Sequence, residues 1–74
     1  MKKYDTYFEH ERILYVVAIL NGDKYEASLH MGRMQGYKAA LFNNGVDFTV
    51  ICDLHDRIMS AIDFAYRMRR YRKN

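Results

Sequence analysis

The chain has 74 residues, half of them hydrophobic, and carries a net charge of +3 and a single cysteine, Cys52. This length predicts one small domain, the single cysteine rules out an internal disulfide, and the hydrophobic content disfavours a low-complexity or disordered protein. The longest apolar run, Ile13 to Leu20, is too short to cross a bilayer as a helix. Because a lone cysteine is typical of reducing compartments, we expect a cytoplasmic protein that does not insert into membranes.

The first half of the chain predicts a β-hairpin preceded by an arm. We interpret residues 1–12 as an extended or irregular arm, in which solvent exposure explains the polar cluster Glu9-His10-Glu11. A short helix begun by Asp5 is the alternative. The β-branched run Ile13 to Leu20 is typical of a strand buried on both faces.

The Asn21-Gly22 pair favours a type I′ hairpin turn after that strand. From Lys24 to Met31 apolar and polar residues then alternate, as in a half-buried strand. The core face would contain Tyr25, Ala27, Leu29 and Met31, and the solvent face would contain Lys24, Glu26, Ser28 and His30.

Residues 33–44 allow two interpretations. Met34, Tyr37 and Leu41 have helical spacing, and Gly45 suits the position that follows a helix. A second hairpin turn at Asn44-Gly45 is the alternative, and Gly32 and Gly36 would weaken a helix that contained them. We favour the helix.

The last third predicts a strand, Val46 to Cys52, and then a long helix, Leu54 to Tyr71, capped by Asp53. Its core face is one stripe of the helical wheel: Leu54, Ile58, Ala61, Ala65 and Met68, with Ile62 at the flank. Asp53–Arg57 and Asp63–Arg67 would form ion pairs along the helix. The predicted fold is therefore α+β, in the order ββαβα or, with a second hairpin, ββββα, with the helix packed on a mostly antiparallel sheet.

Basic residues dominate the end of the chain. Five cations and no acid follow Tyr66, namely Arg67, Arg69, Arg70, Arg72 and Lys73. Arg69 and Arg72 fall on the core side of the helical wheel, where unpaired charges are not tolerated. We therefore predict one domain, 1–74, with a core at 13–68 and a basic helical overhang at 69–74. Helix-dipole stabilisation and solubility explain part of this charge.

The candidate binding site is this aromatic and basic segment, because Arg and Tyr are enriched as interface anchors. The candidate residues are Tyr66, Arg67, Arg69, Arg70, Tyr71, Arg72 and Lys73. The Cys52-x-x-His55 spacing provides two metal ligands where a structural zinc site needs four. A small thiol-dependent enzyme using Cys52 is the least favoured function, and we expect no enzymatic activity, cofactor or metal.

The leading hypothesis is a non-enzymatic binding protein that acts by protein–protein contact, such as a small regulator or inhibitor of phage or mobile-element type. Nucleic-acid binding through the basic helix is the alternative. Met59, Phe64, Tyr66 and Tyr71 lie on both flanks of the last helix, which is a wide apolar arc for so short a chain. A homodimer would cover that surface.

Overall fold

Three helices account for the fold. They are α1 (Lys3–Leu20), α2 (Lys24–Asn43) and α3 (Phe48–Arg72). The computed structural model describes residues 3–72, and the side chains of 6–71. No strand occurs in this part of the chain. The predicted α+β fold is therefore wrong in both of its element orders, and the part of the predicted arm that is described lies in α1.

The apolar run at 13–20 forms the second half of α1 instead of a strand. The buried residues of α1 recur at helical spacing: Phe8, Glu11, Tyr15, Val16, Ala18 and Ile19. Ile13 and Val17, from the same run, are exposed on the opposite side. The run is thus buried on one helical face, and the small helix penalty of its β-branched residues is outweighed by that burial.

The alternating segment at 24–31 is also helical. In α2 the buried residues are Ala27, His30 and Met34, and Tyr37 and Leu41 pack against the same core. Helical spacing therefore extends from Ala27 to Leu41, well beyond the alternation. The favoured helix at 33–44 is confirmed as part of α2.

Both Asn-Gly pairs end a helix rather than turn a hairpin. Gly22 has φ +71°, its N–H donates to the Ile19 carbonyl at 3.0 Å, and the Asp23 N–H donates to the Ala18 carbonyl at 2.9 Å. This is a Schellman motif, in which a residue with positive φ follows the helix. Gly45, with φ +77°, ends α2 in the same way, as the sequence predicted. A glycine with positive φ suits both the end of a helix and a type I′ hairpin turn, so the Asn-Gly dipeptide alone did not distinguish the two structures.

Aspartates begin the second and third helices. Asp23 Oδ1 accepts a hydrogen bond from the Glu26 N–H at 3.0 Å and caps α2. Asp47 Oδ1 accepts from the Thr49 N–H and from the Thr49 hydroxyl, both at 2.9 Å. The bond from the Thr49 backbone and then that from its hydroxyl lower the pKa of Asp47.

Because α3 begins at Phe48, the predicted strand Val46 to Cys52 is wrong, and so is the predicted cap at Asp53. Asp53 lies inside the helix, where its carboxylate pairs with Arg57 at 3.0 Å. Cys52 is exposed, and its neighbour Ile51 is buried.

The helices run up, down and up around a shared core. Tyr7, near the start of α1, packs against Tyr37, near the end of α2, with 4.9 Å between the centroids of the tilted rings, so α1 runs antiparallel to α2. Glu9 Oε2 lies 3.4 Å from Arg57 Nη1, which places the first half of α1 beside α3. The predicted core face of α3 is confirmed, because four of its residues are buried: Leu54, Ile58, Ala61 and Ala65. Met68 and Ile62 are half-buried at its edges.

Replacing Gly32 or Gly36 with Ala should raise the free energy of unfolding by about 0.5–1 kcal/mol each, because Gly inside a helix costs conformational entropy. Both lie in α2, and apart from the adjacent backbone of that helix a Cβ there would meet no described atom within 4 Å. Urea denaturation followed by circular dichroism measures the change. Gly22→Ala and Gly45→Ala are the controls and should destabilise, because both positions have positive φ. A loss of stability in Gly32→Ala would contradict an open helix face.

Candidate functional site

The predicted binding residues lie on the last turns of α3. Tyr66, Arg67, Arg69, Arg70 and Tyr71 are all exposed, and Tyr71 is 72% exposed. The helix continues through Arg72, whose side chain lies outside the described part, as does Lys73 altogether. The structure brings Tyr66 and Arg69 together at one cavity.

This cavity has a volume of about 430 Å³ and opens between α2 and α3 near the α1–α2 turn. Ile19, Ala27 and Met31 give it an apolar wall, and Tyr66 and Arg69 line it from α3. The volume falls within the usual range of ligand pockets, about 300–1,000 Å³. We call the cavity and its lining residues the turn cavity.

The turn cavity exists because α2 and α3 pack more closely against α1 than against each other. Several residues that line it are small or flexible, namely Gly22 in the turn and Ala27, Ser28 and Met31 in α2. Thus α1 and the connecting turn close one side of the space, while the gap between α2 and α3 remains open.

Arg69 rests on the turn between α1 and α2. A Cβ built at Gly22 would lie 3.3 Å from Arg69 Nη2, so the guanidinium lies close to the turn backbone. The helical wheel places Arg69 on the core side of α3, where an unpaired charge is not tolerated. In the structure this part of α3 lies at the end of the three-helix bundle. The long side chain of Arg69 reaches the turn and remains exposed there, as Arg side chains do at the rim of a core.

Arg69 and Arg70 differ from the other described arginines in having no acidic partner among the described residues. The remaining arginines form ion pairs as follows: Arg12 with Glu9, Arg33 with Glu11, Arg57 with Glu9 and Asp53, and Arg67 with Asp63. The predicted pairs Asp53–Arg57 and Asp63–Arg67 are thereby confirmed. Arg67, in contrast to Arg69, already forms an ion pair with Asp63 of the same helix.

Two tyrosines add hydroxyl groups to the turn cavity. Tyr15, in α1, is buried, and Tyr66 lies opposite on α3. Burial, and secondarily the proximity of Tyr66, raise the pKa of Tyr15. The Tyr15 hydroxyl is therefore a neutral hydrogen-bonding group at neutral pH.

A buried polar cluster forms a second feature, between α1 and α2. His30 Nδ1 lies 2.6 Å from Glu11 Oε1, and the two residues are only 6% and 3% exposed. His30 Nε2 lies 3.3 Å from Glu26 Oε1, and Arg33 Nη1 lies 3.7 Å from Glu11 Oε2. The predicted solvent exposure of Glu11 and His30 is wrong. Their helical spacing with Phe8, Tyr15, Ala27 and Met34 was the signal that could have revealed them.

This polar cluster has the elements of an acid–base pair but not the setting of an active site. Both ring nitrogens of His30 already have carboxylate partners, and burial leaves little room for a substrate. A catalytic base must reach the proton that it abstracts. The cluster therefore joins α1 to α2, and its role is structural.

The segment around Cys52 shows no clustered chemistry. Cys52 is exposed, and His55 Nδ1 accepts a hydrogen bond from Lys38 Nζ at 3.2 Å. Among the described residues, no three His, Cys, Asp or Glu side chains are grouped as metal ligands. Nor does the described chain contain a helix long and apolar enough to cross a membrane.

Comparison of the chain with protein-family models, with curated proteins and with solved structures found no match.

Proposed function

We propose that this chain is a non-enzymatic binding protein that contacts a protein partner through the turn cavity and the adjoining end of α3. The observation that supports this most is Arg69, an exposed cation without an acidic partner among the described residues, beside a cavity with one apolar wall. Tyrosine and arginine around an apolar recess are typical of the residues that provide most of the energy in protein interfaces.

Exposed aromatic residues extend this surface. Tyr66 is 44% exposed at the cavity, and Tyr71 follows it on α3. A tyrosine contributes a large contact area and a hydroxyl at a low entropic cost. A partner seated on the turn cavity would therefore cover the exposed part of Tyr66, which lines the cavity.

The proposal is tested by placing a photoreactive phenylalanine analogue at Tyr71 and crosslinking in the cell that makes the protein. We expect a crosslinked protein partner, identified by mass spectrometry. The matched control carries the analogue at Phe48, which is also exposed and aromatic but begins α3, at the other end of the helix. It should not yield the same product.

Two other outcomes would contradict this proposal in different ways. Crosslinks to nucleic acid, with binding that weakens steeply as salt rises, would assign α3 to phosphate recognition instead. An equal product from Phe48 and Tyr71 would show that contact is nonspecific.

A crosslink between two copies in the purified protein would instead support the proposal and identify the partner as a second copy of this chain.

A further inference from the structure

We infer that the turn cavity selects an acidic segment of its partner, which inserts one large apolar side chain between α2 and α3 and places a carboxylate against Arg69. This inference rests on the proposed function and specifies the chemistry of the partner. It combines two independent features of the same site, the apolar wall and the unpaired charge.

The apolar part of the site determines the anchor. Ile19, Ala27 and Met31 supply aliphatic surface, and methionine adapts its shape to different side chains. The turn cavity, at about 430 Å³, has room for a large side chain of a partner. Filling it would remove apolar surface from water on both sides of the contact, which is the main driving force of association.

The charged part of the site determines the flanking residues. Arg69 lines the cavity from α3 and Lys24 lines it from α2, and neither has an acidic ion-pair partner among the described residues. Asp23 also lines the cavity, but its carboxylate accepts the Glu26 N–H and caps α2. The two cations therefore outnumber the single Asp23 carboxylate at the opening, and an acidic segment is the complementary partner.

The position of Arg69 favours a bidentate contact with a carboxylate. Its guanidinium lies beside the backbone of the α1–α2 turn near Gly22, at the edge of the turn cavity. A guanidinium can donate two parallel hydrogen bonds to one carboxylate, which gives orientation as well as energy. An acidic side chain near the apolar anchor residue of the partner could therefore pair with Arg69 while the anchor fills the cavity.

The test is selection of displayed random linear peptides against the whole protein. We expect enriched peptides that combine aspartate or glutamate with a large aliphatic or aromatic residue. Arg69→Glu should weaken their binding at least about tenfold, since a charge-assisted hydrogen bond is replaced by repulsion. Arg70→Glu is the matched control: it makes the same charge change one residue later, at a position that does not line the turn cavity, and should change affinity less than about twofold.

Arg69→Gln is a second variant, which removes the charge while keeping most of the side chain near the turn. It should weaken binding in the same direction, and circular dichroism should show unchanged helicity. Shifts in amide NMR signals on peptide addition should centre on Ala27 and Met31. Enriched peptides without acidic residues, or equal losses in Arg69→Glu and Arg70→Glu, would overturn the inference while leaving a protein-binding function intact. If no peptide is enriched and Tyr71 crosslinks only to nucleic acid, both proposals fail.

Discussion

Replacing His30 with Leu should lower the free energy of unfolding by about 3–5 kcal/mol, because it leaves the Glu11 carboxylate buried without its nearest partner. Glu11 is 3% exposed and lies 2.6 Å from the histidine ring. Leucine fills much of the volume of histidine, so the loss reports on the polar contact more than on a cavity. The measurement is urea denaturation followed by circular dichroism, with the midpoint falling at an unchanged slope.

The size of this effect follows from the surroundings of Glu11. Arg33 Nη1 also lies near the Glu11 carboxylate, at 3.7 Å, and the Arg33 side chain is half-exposed. Glu26, the second partner of His30, is half-exposed and can turn to water when the imidazole is removed. The cost therefore concentrates on Glu11, and it is a large share of the roughly 5–15 kcal/mol that stabilises a typical domain.

The double variant Glu11→Met, His30→Leu is the control for this interpretation. Replacing both members of a buried polar pair with apolar residues of similar volume is often neutral or stabilising. The double variant should therefore recover most of the stability that His30→Leu loses. If the two substitutions simply added, or if His30→Leu alone cost less than about 1 kcal/mol, the pair would not act as a coupled unit between α1 and α2.

The final helix could be predicted from the sequence because every local signal agreed. Apolar residues recur at helical spacing from Leu54 to Ala65, two acid–base pairs have the favourable order, and neither Gly nor Pro interrupts. Its beginning was misplaced because two aspartates can cap a helix there. The structure uses Asp47, whose carboxylate binds Thr49, and thereby draws the β-branched residues after it into α3.

The first two helices were misread for a shared physical reason. Their helical stripes contain Glu11 and His30 at buried positions, so a pattern that counts only apolar residues breaks at each. Exposed positions of the same helices are apolar, so 13–20 reads as a continuous run, with Ile13 and Val17 in it, and 24–31 alternates, with Tyr25 in it. The pairing of two distant polar residues is a tertiary property, which neither segment shows alone.

The candidate site could be predicted in part. The sequence singled out Tyr66 and Arg69, and the conflict of Arg69 with the core face marked the end of the bundle. The partners of these residues in the turn cavity, Ala27 and Met31, could not be found while 24–31 was interpreted as a strand. Locating a groove between two helices requires knowing that both are helices.

Replacing Met34 with Ala should cost about 2–5 kcal/mol, whereas replacing Tyr25 with Ala should change stability by less than about 0.5 kcal/mol. Met34 is 0% exposed in the core of the three helices, and Tyr25 is 75% exposed at the start of α2. Removing the Met34 side chain both forfeits its burial and leaves a cavity that close packing cannot fill. Thermal and urea unfolding of the two variants measure the difference.

This pair of variants separates the two ways in which the second segment can fold. In an alternating strand, Tyr25 shares the core face with Ala27 and its loss is costly, and in a helix it points to water. Ser28→Ala is the control for effects of helix propensity, since Ser28 is exposed in α2 and alanine is the better helix former. A loss on Tyr25→Ala as large as that on Met34→Ala would contradict the helical register. Equal and small losses at both positions would mean that α2 does not pack its Ala27, His30 and Met34 face on α1.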